Sequence, residues 1–317
     1  MNYRVLGKTG INVSEISLGC WALGGPGPSG WGEIDEKKII EAVNYAVDTG
    51  VNHFDNADSY GDGNAERLLA KALGNRSKDV IISSKVGWVK GTAESAYEPL
   101  HIRHQCEQSL VNLKRDFIDI YYFHHGDFGE NDRFLGEAVP AMNKLKEQGK
   151  IRFIGLSTYS EADFLRLSAV VKPDVLQGSC SAMNTGYIKE GTKTAELMKK
   201  ENIKMVGFSP FVHGLLTGKY TVKNPPKFGD GDFRARSDYF KPEALAKNDQ
   251  RMEKIKAKFG SDIKDITRVM LQYLLSFAAL GTVIPGFRNK EQVETNLSAG
   301  GKPLTKEEAG FVEKVFG

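Results

Sequence analysis

Asp55, Tyr60, Lys85 and His124 are residue types that together could move a proton onto a carbonyl oxygen. A free tyrosine titrates near ~10 and is a poor acid–base catalyst at neutral pH. A neighbouring ammonium stabilises the phenolate, so Lys85 is expected to lower the pKa of Tyr60. A carboxylate beside the lysine keeps it charged and in place. A histidine at the same spot can hold the substrate oxygen or help move the proton. Such a group could protonate a carbonyl oxygen while a hydride arrives at carbon. Each residue alone also has an ordinary explanation. Asp55 and Lys85 could be a structural ion pair, Tyr60 a turn residue and His124 a packed core histidine. Chemistry is favoured because all four fall at matching places in a repeating pattern.

That pattern alternates short apolar runs with amphipathic stretches. Eight runs read as strands: Ile16–Gly19, Asn52–Asp55, Val80–Lys85, Ile118–His124, Arg152–Ser157, Val175–Gly178, Met205–Ser209 and Thr282–Gly286. Helical spacing of apolar residues follows in Glu36–Thr49, Ile102–Leu113, Phe134–Gln148, Glu161–Val171, Thr192–Asn202, Ile263–Phe277 and Lys290–Leu297. Strand and helix alternating eight times predict an α/β fold of parallel strands, and eight units favour a closed (β/α)8 TIM barrel. An open dinucleotide-binding sheet would carry G-x-G-x-x-G after its first strand. Gly24-Gly25-Pro26-Gly27-Pro28 instead has prolines where backbone donors would be needed. Reactive groups of a barrel sit at the C-terminal strand ends. Asp55, Lys85 and His124 end the second, third and fourth runs, and Tyr60 lies in the loop leaving the second.

A length of 317 residues admits two domains or one large barrel. The excess over a minimal barrel of about 250 residues is accounted for within one domain spanning 1–317. Tyr3–Leu6 and Ile11–Val13 flank Lys8-Thr9-Gly10 as an N-terminal hairpin that could plug the barrel bottom. Residues 210–242 form one long aperiodic loop, of the kind that is functional when it occurs in a compact domain. Ala244–Phe259 reads as an extra helix. Leu304–Phe316 reads as a last one, with Thr305 and Glu308 in capping-box spacing. Forty-three Lys and Arg against 40 Asp and Glu leave a formal charge of +3, which points away from nucleic-acid wrapping and membrane surfaces. No apolar run approaches the roughly 18 residues of a membrane span, and Met1-Asn2-Tyr3-Arg4 lacks a signal-peptide design. Three scattered cysteines, Cys20, Cys106 and Cys180, suit a reducing cytoplasm and offer no cysteine-based metal site.

The residues around these four resemble the aldo-keto reductases over nearly the whole chain. Gly50-Val51-Asn52-His53-Phe54-Asp55-Asn56-Ala57-Asp58-Ser59-Tyr60-Gly61 looks like that family's first signature, continued by Asn64-Ala65-Glu66-Arg67-Leu68-Leu69. Ser83-Ser84-Lys85-Val86-Gly87 matches its catalytic-lysine segment. Ser109-Leu110 through Asp119-Ile120-Tyr121-Tyr122-Phe123-His124 resembles the second signature. The resemblance implies a catalytic tetrad of Asp55, Tyr60, Lys85 and His124, with Tyr60 as the general acid in reduction. It also implies NADP(H) extended over the barrel mouth without a Rossmann domain. Ser157 and Gln177 resemble the pair that bonds the nicotinamide carboxamide. Thr158 stands where the family usually has Asn and is expected to anchor more weakly. Phe208 takes the place of the ring that stacks on the nicotinamide.

Gly207-Phe208-Ser209-Pro210-Phe211 and Gly214-Leu215-Leu216-Thr217-Gly218-Lys219-Tyr220 resemble the pyrophosphate-clasping loop, with Lys219 meeting the diphosphate. The resemblance thus makes the long loop a flap over the cofactor. Ile284-Pro285-Gly286-Phe287-Arg288 through Val293 resembles the adenosine end. There Arg288 would pair with a 2′-phosphate and favour NADP(H) over NAD(H), and Gln292 and Asn296 would face the adenine. The implied activity is reduction of an aldehyde or ketone to an alcohol. Two other readings stand beside it: a non-catalytic NADP(H)-binding, redox-sensing subunit, and a lyase using Lys85 as a Schiff-base nucleophile. Trp21 and Trp88, in loops after the first and third strands, could wall a substrate pocket, and Trp31 less so. His125 should point to the helix layer by strand alternation. His101 and His104 read as surface residues, Cys20 and Cys180 as small packing residues, and Lys223–Asp232 as a solvated loop.

Overall fold

The computed structural model describes residues 1–317. Its first elements are a hairpin of β1 (Tyr3–Val5) and β2 (Asn12–Ser14), paired antiparallel with Tyr3 opposite Ser14. Leu6 and Val13 from this hairpin are fully buried. They cluster with Ile81, Ile120, Val175, Val206 and Ile284 from the strands, so the hairpin closes the bottom of the barrel.

Strands and helices then alternate: β3 (Leu18–Gly19), α1 (Glu36–Asp48), β4 (His53–Asp55), α2 (Asn64–Leu73), β5 (Ile81–Val86), α3 (Pro99–Leu113), β6 (Ile118–Phe123), α4 (Leu135–Glu147). The series continues through β7 (Ile151–Thr158), α5 (Glu161–Val171), β8 (Val175–Ser179), α6 (Lys193–Lys200) and β9 (Met205–Phe208). It ends with α7 (Pro242–Phe259), α8 (Ile263–Leu275), β10 (Leu280–Ile284), α9 (Lys290–Leu297) and α10 (Lys306–Phe316). The eight strands β3 to β10 are parallel and neighbour one another in chain order. Bridges of Ile16 to Val283 and Gly19 to Gly286 bring the first strand against the last. Thr282 Oγ1 strengthens that seam by donating to the Ser14 carbonyl at 2.8 Å. The fold is therefore a (β/α)8 barrel with a capping hairpin and added helices.

Local signals explain most boundaries. Asp35 caps α1 by accepting from the Lys37 and Lys38 amides. Pro99 opens α3 at its first position, three residues before the periodic pattern begins, because its missing N–H is not needed there. The capping box of Thr305 and Glu308 is formed. The last strand lies at Leu280–Ile284, not Thr282–Gly286, since Pro285 has no N–H to continue the ladder. The apolar residues of strands and helices merge in one core cluster of 65 buried residues. No helix is long and apolar enough to cross a membrane.

Candidate active site

The barrel register sets the site. Asp55 ends β4 opposite Ser83 of β5, and Lys85 two residues on faces the same way. The ladder runs one residue past β6, where the His124 amide donates to the Val86 carbonyl at 2.9 Å. Tyr60 is delivered by the turn after β4, its carbonyl accepting from the Ala65 amide at the start of α2.

Lys85 is completely buried and places all three of its protons. Nζ donates to Asp55 Oδ2 at 2.7 Å, to the Asn56 carbonyl at 2.5 Å and to Tyr60 Oη at 3.2 Å. The Tyr60 oxygen thus accepts from lysine, which leaves its own proton to be given away. Burial, with the Asp55 charge next, pushes the Tyr60 phenol well above its ordinary value. The sequence expectation was the reverse. Desolvation of a phenolate in this half-buried corner outweighs the pull of one ammonium whose charge Asp55 already balances. Tyr60 accordingly stays protonated at neutral pH. Burial, then the charge of Lys85, holds His124 well below the usual imidazole range, so it is neutral. Its Nδ1 has no partner. The Tyr60 and His124 rings meet edge to face at 5.9 Å.

A cavity of about 710 Å³ runs from this corner across the barrel mouth. Asp55, Tyr60 and His124 line its inner end, and Lys85 lies behind them, out of its lining. Ser157, Gln177, Phe208, Ser209, Phe211, Lys219, Gly286, Arg288, Gln292 and Asn296 also line it, as do Trp21 and Trp88. Trp21 stacks near Tyr60 at 6.1 Å, and the exposed Trp88 abuts His124. Arg288 is half-buried with no carboxylate within ion-pair distance, and its main-chain N–H donates to Gln292 Oε1 at 2.8 Å.

Besides Lys85, three sequence candidates, all on the cofactor side, do not line the cavity. Thr158 points to the helix layer, its hydroxyl 3.4 Å from Asp163 Oδ2 on α5. Leu215 is a core residue, and its carbonyl accepts from Asn248 of α7. Gly218 turns with a φ of 72°, and its carbonyl accepts from Lys256 Nζ of α7 at 3.0 Å. His125 bonds the Gly87 carbonyl and packs on Tyr97, away from Tyr60. His101 bonds the Val89 carbonyl.

Sequence reasoning missed Tyr159, His213 and Arg234, and undervalued Trp31; all four line the cavity. Two distant loops bring most of them together. The Phe233 amide donates to the Gly30 carbonyl at 2.9 Å, and the Gly32 amide to the Gly231 carbonyl at 3.2 Å. Trp21, Trp31, His213 and Phe233 then form one aromatic cluster. Arg234 is buried across the Trp31 ring and doubly bonded to Asp232. Asp232 is therefore a buried anchor, while most of the Lys223–Asp232 stretch is exposed as expected.

The cleft suits a long anionic ligand with a flat end. Unpartnered buried nitrogens, Trp31 Nε1, His213 Nδ1 and His124 Nδ1, sit along it. Ser209, Val212, His213, Gly214 and Gly218 all have positive φ, the backbone habit of anion-holding nests. Lys219 and the unpaired Arg288 supply positive charge.

The family model described as "Aldo/keto reductase family" matches residues 15–316. L-galactose dehydrogenase of Arabidopsis thaliana is 30% identical over 93% of this chain and 87% of its own length. The NADH-specific methylglyoxal reductase of Escherichia coli is 29% identical over 93% of this chain and 92% of its own. Among solved structures, the holo form of aldo-keto reductase AKR11C1 from Bacillus halodurans superposes with a TM-score of 0.78 at 24% identity, covering 99% of this chain and 96% of that one.

Proposed function

The chain belongs to the aldo/keto reductase family, and from that premise we propose that it is an NADP(H)-dependent carbonyl reductase with Tyr60 as its proton donor. The observation that carries this reading is the three-proton arrangement of Lys85, which leaves the Tyr60 hydroxyl proton directed at no protein acceptor.

The nicotinamide, when bound, supplies hydride to the carbonyl carbon. The chain's own residues do the rest. Ser157 and Gln177, which line the cavity, would hold the carboxamide, and Phe208 would offer its face to the ring. Ser209, Phe211 and Lys219 would hold the diphosphate, and Arg288, Gln292 and Asn296 the adenosine end. The 210–242 segment acts as a flap within one barrel unit, an idea supported by its backbone bonds to the 25–32 loop. The substrate oxygen lies between the Tyr60 hydroxyl and neutral His124, which donates one hydrogen bond and fixes it. Tyr60 releases its proton as charge builds on that oxygen, and the adjacent ammonium receives the phenolate. Trp21 and Trp88 flank the carbonyl substituents and exclude water. A cytoplasmic setting suits the three unpaired, buried cysteines.

A Schiff-base role for Lys85 is disfavoured by its burial and by the three bonds that occupy its protons. The test is a panel of aldehydes and ketones followed by NADPH absorbance, repeated with NADH, on the wild type and Tyr60→Phe. Oxidation of NADPH by the wild type is expected, with turnover lost and cofactor binding retained in Tyr60→Phe. Turnover that survives in Tyr60→Phe would sink the assignment.

A further inference from the structure

One buried titratable side chain beneath the site is not used by this mechanism. His53 lies two residues before Asp55 on β4, so both side chains point into the barrel. His53 Nε2 is 3.2 Å from Ser83 Oγ, and Ser83 Oγ donates to Asp55 Oδ1 at 2.8 Å. The single hydroxyl proton of Ser83 is committed to Asp55, so its oxygen accepts from His53. That assigns the imidazole proton to Nε2 and leaves Nδ1 bare, and Nδ1 has no partner. His53 is fully buried, and burial lowers its pKa to about 4, so the ring is neutral.

We propose that His53 is a positioning residue acting through Ser83, the inner end of a hydrogen-bonded chain running His53–Ser83–Asp55–Lys85–Tyr60. Every bond in the chain up to the carboxylate donates toward Asp55, and Lys85 donates from the other side. Each bond polarises the next, so the imidazole strengthens the hold of Ser83 on Asp55. Asp55 thereby keeps its orientation, and so fixes Lys85 under the phenol. The titratable groups facing Asp55 are Lys85 of β5, Tyr60, Cys20 after β3, Tyr122 of β6 and His53 itself. Asp119 on β6 also faces His53.

This inference rests on Tyr60 being the proton donor, and the test separates the two. The full chain is compared as wild type, His53→Leu, His53→Gln, Ser83→Ala and Tyr60→Phe. Carbonyl kcat and KM are measured, with NADPH affinity by fluorescence and Tm alongside. Ser83→Ala is expected to lower kcat about tenfold with KM nearly unchanged, the size of one lost hydrogen bond to a charged group, and His53→Leu, which removes a bond between neutral groups, about threefold. His53→Gln keeps an N–H near the Nε2 position and should restore kcat. Should His53→Leu fail to fold, Ser83→Ala, which deletes one oxygen, carries the test. Wild-type kcat in Ser83→Ala and His53→Leu overturns the proposal, as does a loss that tracks Tm alone and is not restored by glutamine. Turnover retained in Tyr60→Phe overturns instead the proton-donor reading beneath it.

Discussion

Gln177 donates from Nε2 to Asp55 Oδ1 at 2.8 Å, which ties the side chain expected to read the cofactor carboxamide to the carboxylate that holds Lys85. One of its two N–H protons being engaged there, its carbonyl oxygen and the other N–H remain for a carboxamide. Gln177→Ala is therefore expected to weaken NADPH binding and also to lower the rate once cofactor is bound. Ser157→Ala should weaken binding alone, since no bond links Ser157 to Asp55. Each lost bond corresponds to roughly tenfold. Fluorescence titration and single-turnover rates separate the two effects, and equal single-turnover rates in both variants would contradict the coupling.

Asp58 should make stability fall as pH rises. It is buried in the turn between Asp55 and Tyr60, where its Oδ2 accepts from Gln105 Nε2 at 2.9 Å and its Oδ1 has no partner. Burial raises its pKa from 3.8 to about 7. Between these values the folded chain binds a proton that the unfolded chain has lost, so stability declines from pH 4 to 7 and stays lower above. Asp58→Asn mimics the protonated form and should flatten this slope. At about 1.4 kcal/mol per pKa unit, the difference at pH 8 is on the order of a few kcal/mol in favour of the variant. Thermal unfolding of both proteins from pH 4 to 8 measures it, and parallel curves would refute it.

The barrel was legible because each of its eight units carries its own periodicity and its own turn. Asp55, Lys85 and His124 were legible because strand ends face one mouth. Thr158 was misplaced although the signal was present: neighbours on a strand face opposite ways, so Ser157 and Thr158 cannot both line the cavity. The direction of the Tyr60 shift was hidden, because desolvation depends on everything packed around the ring. Trp31, His213 and Arg234 share the cavity only because residues 25–32 pair with residues 229–233, about 200 positions away. No local pattern announces that pairing.

Arg288 is expected to set cofactor preference. It is half-buried without a carboxylate partner, and burial and the nearby Arg234 lower its pKa. A guanidinium held uncompensated in this way gains most from an incoming phosphate. Arg234 already has its partner in Asp232. Arg288→Ala should raise the KM for NADPH about tenfold or more while leaving that for NADH nearly unchanged. Equal changes for both coenzymes would remove Arg288 from 2′-phosphate recognition.

Gly61 holds Tyr60 against the turn that carries Trp21. Its φ is 62°, a left-handed conformation, and a Cβ there would sit 2.1 Å from the Gly24 carbonyl oxygen. Gly24 is tight as well, its Cβ 2.8 Å from the Gly61 nitrogen. Backbone meets backbone, so neither side can yield by turning a side chain. Gly61→Ala must push the two turns apart and strain its own φ, at a cost of about 1–3 kcal/mol. Because the displaced turn carries Tyr60, kcat should fall more than KM rises. Gly74→Ala is the control: it also has positive φ, at 52°, but meets nothing within 4 Å, and it caps the end of α2 outside the cavity lining. It should lose comparable stability from φ strain while keeping wild-type kcat. Equal kcat losses in the two variants would show that lost stability alone accounts for the effect.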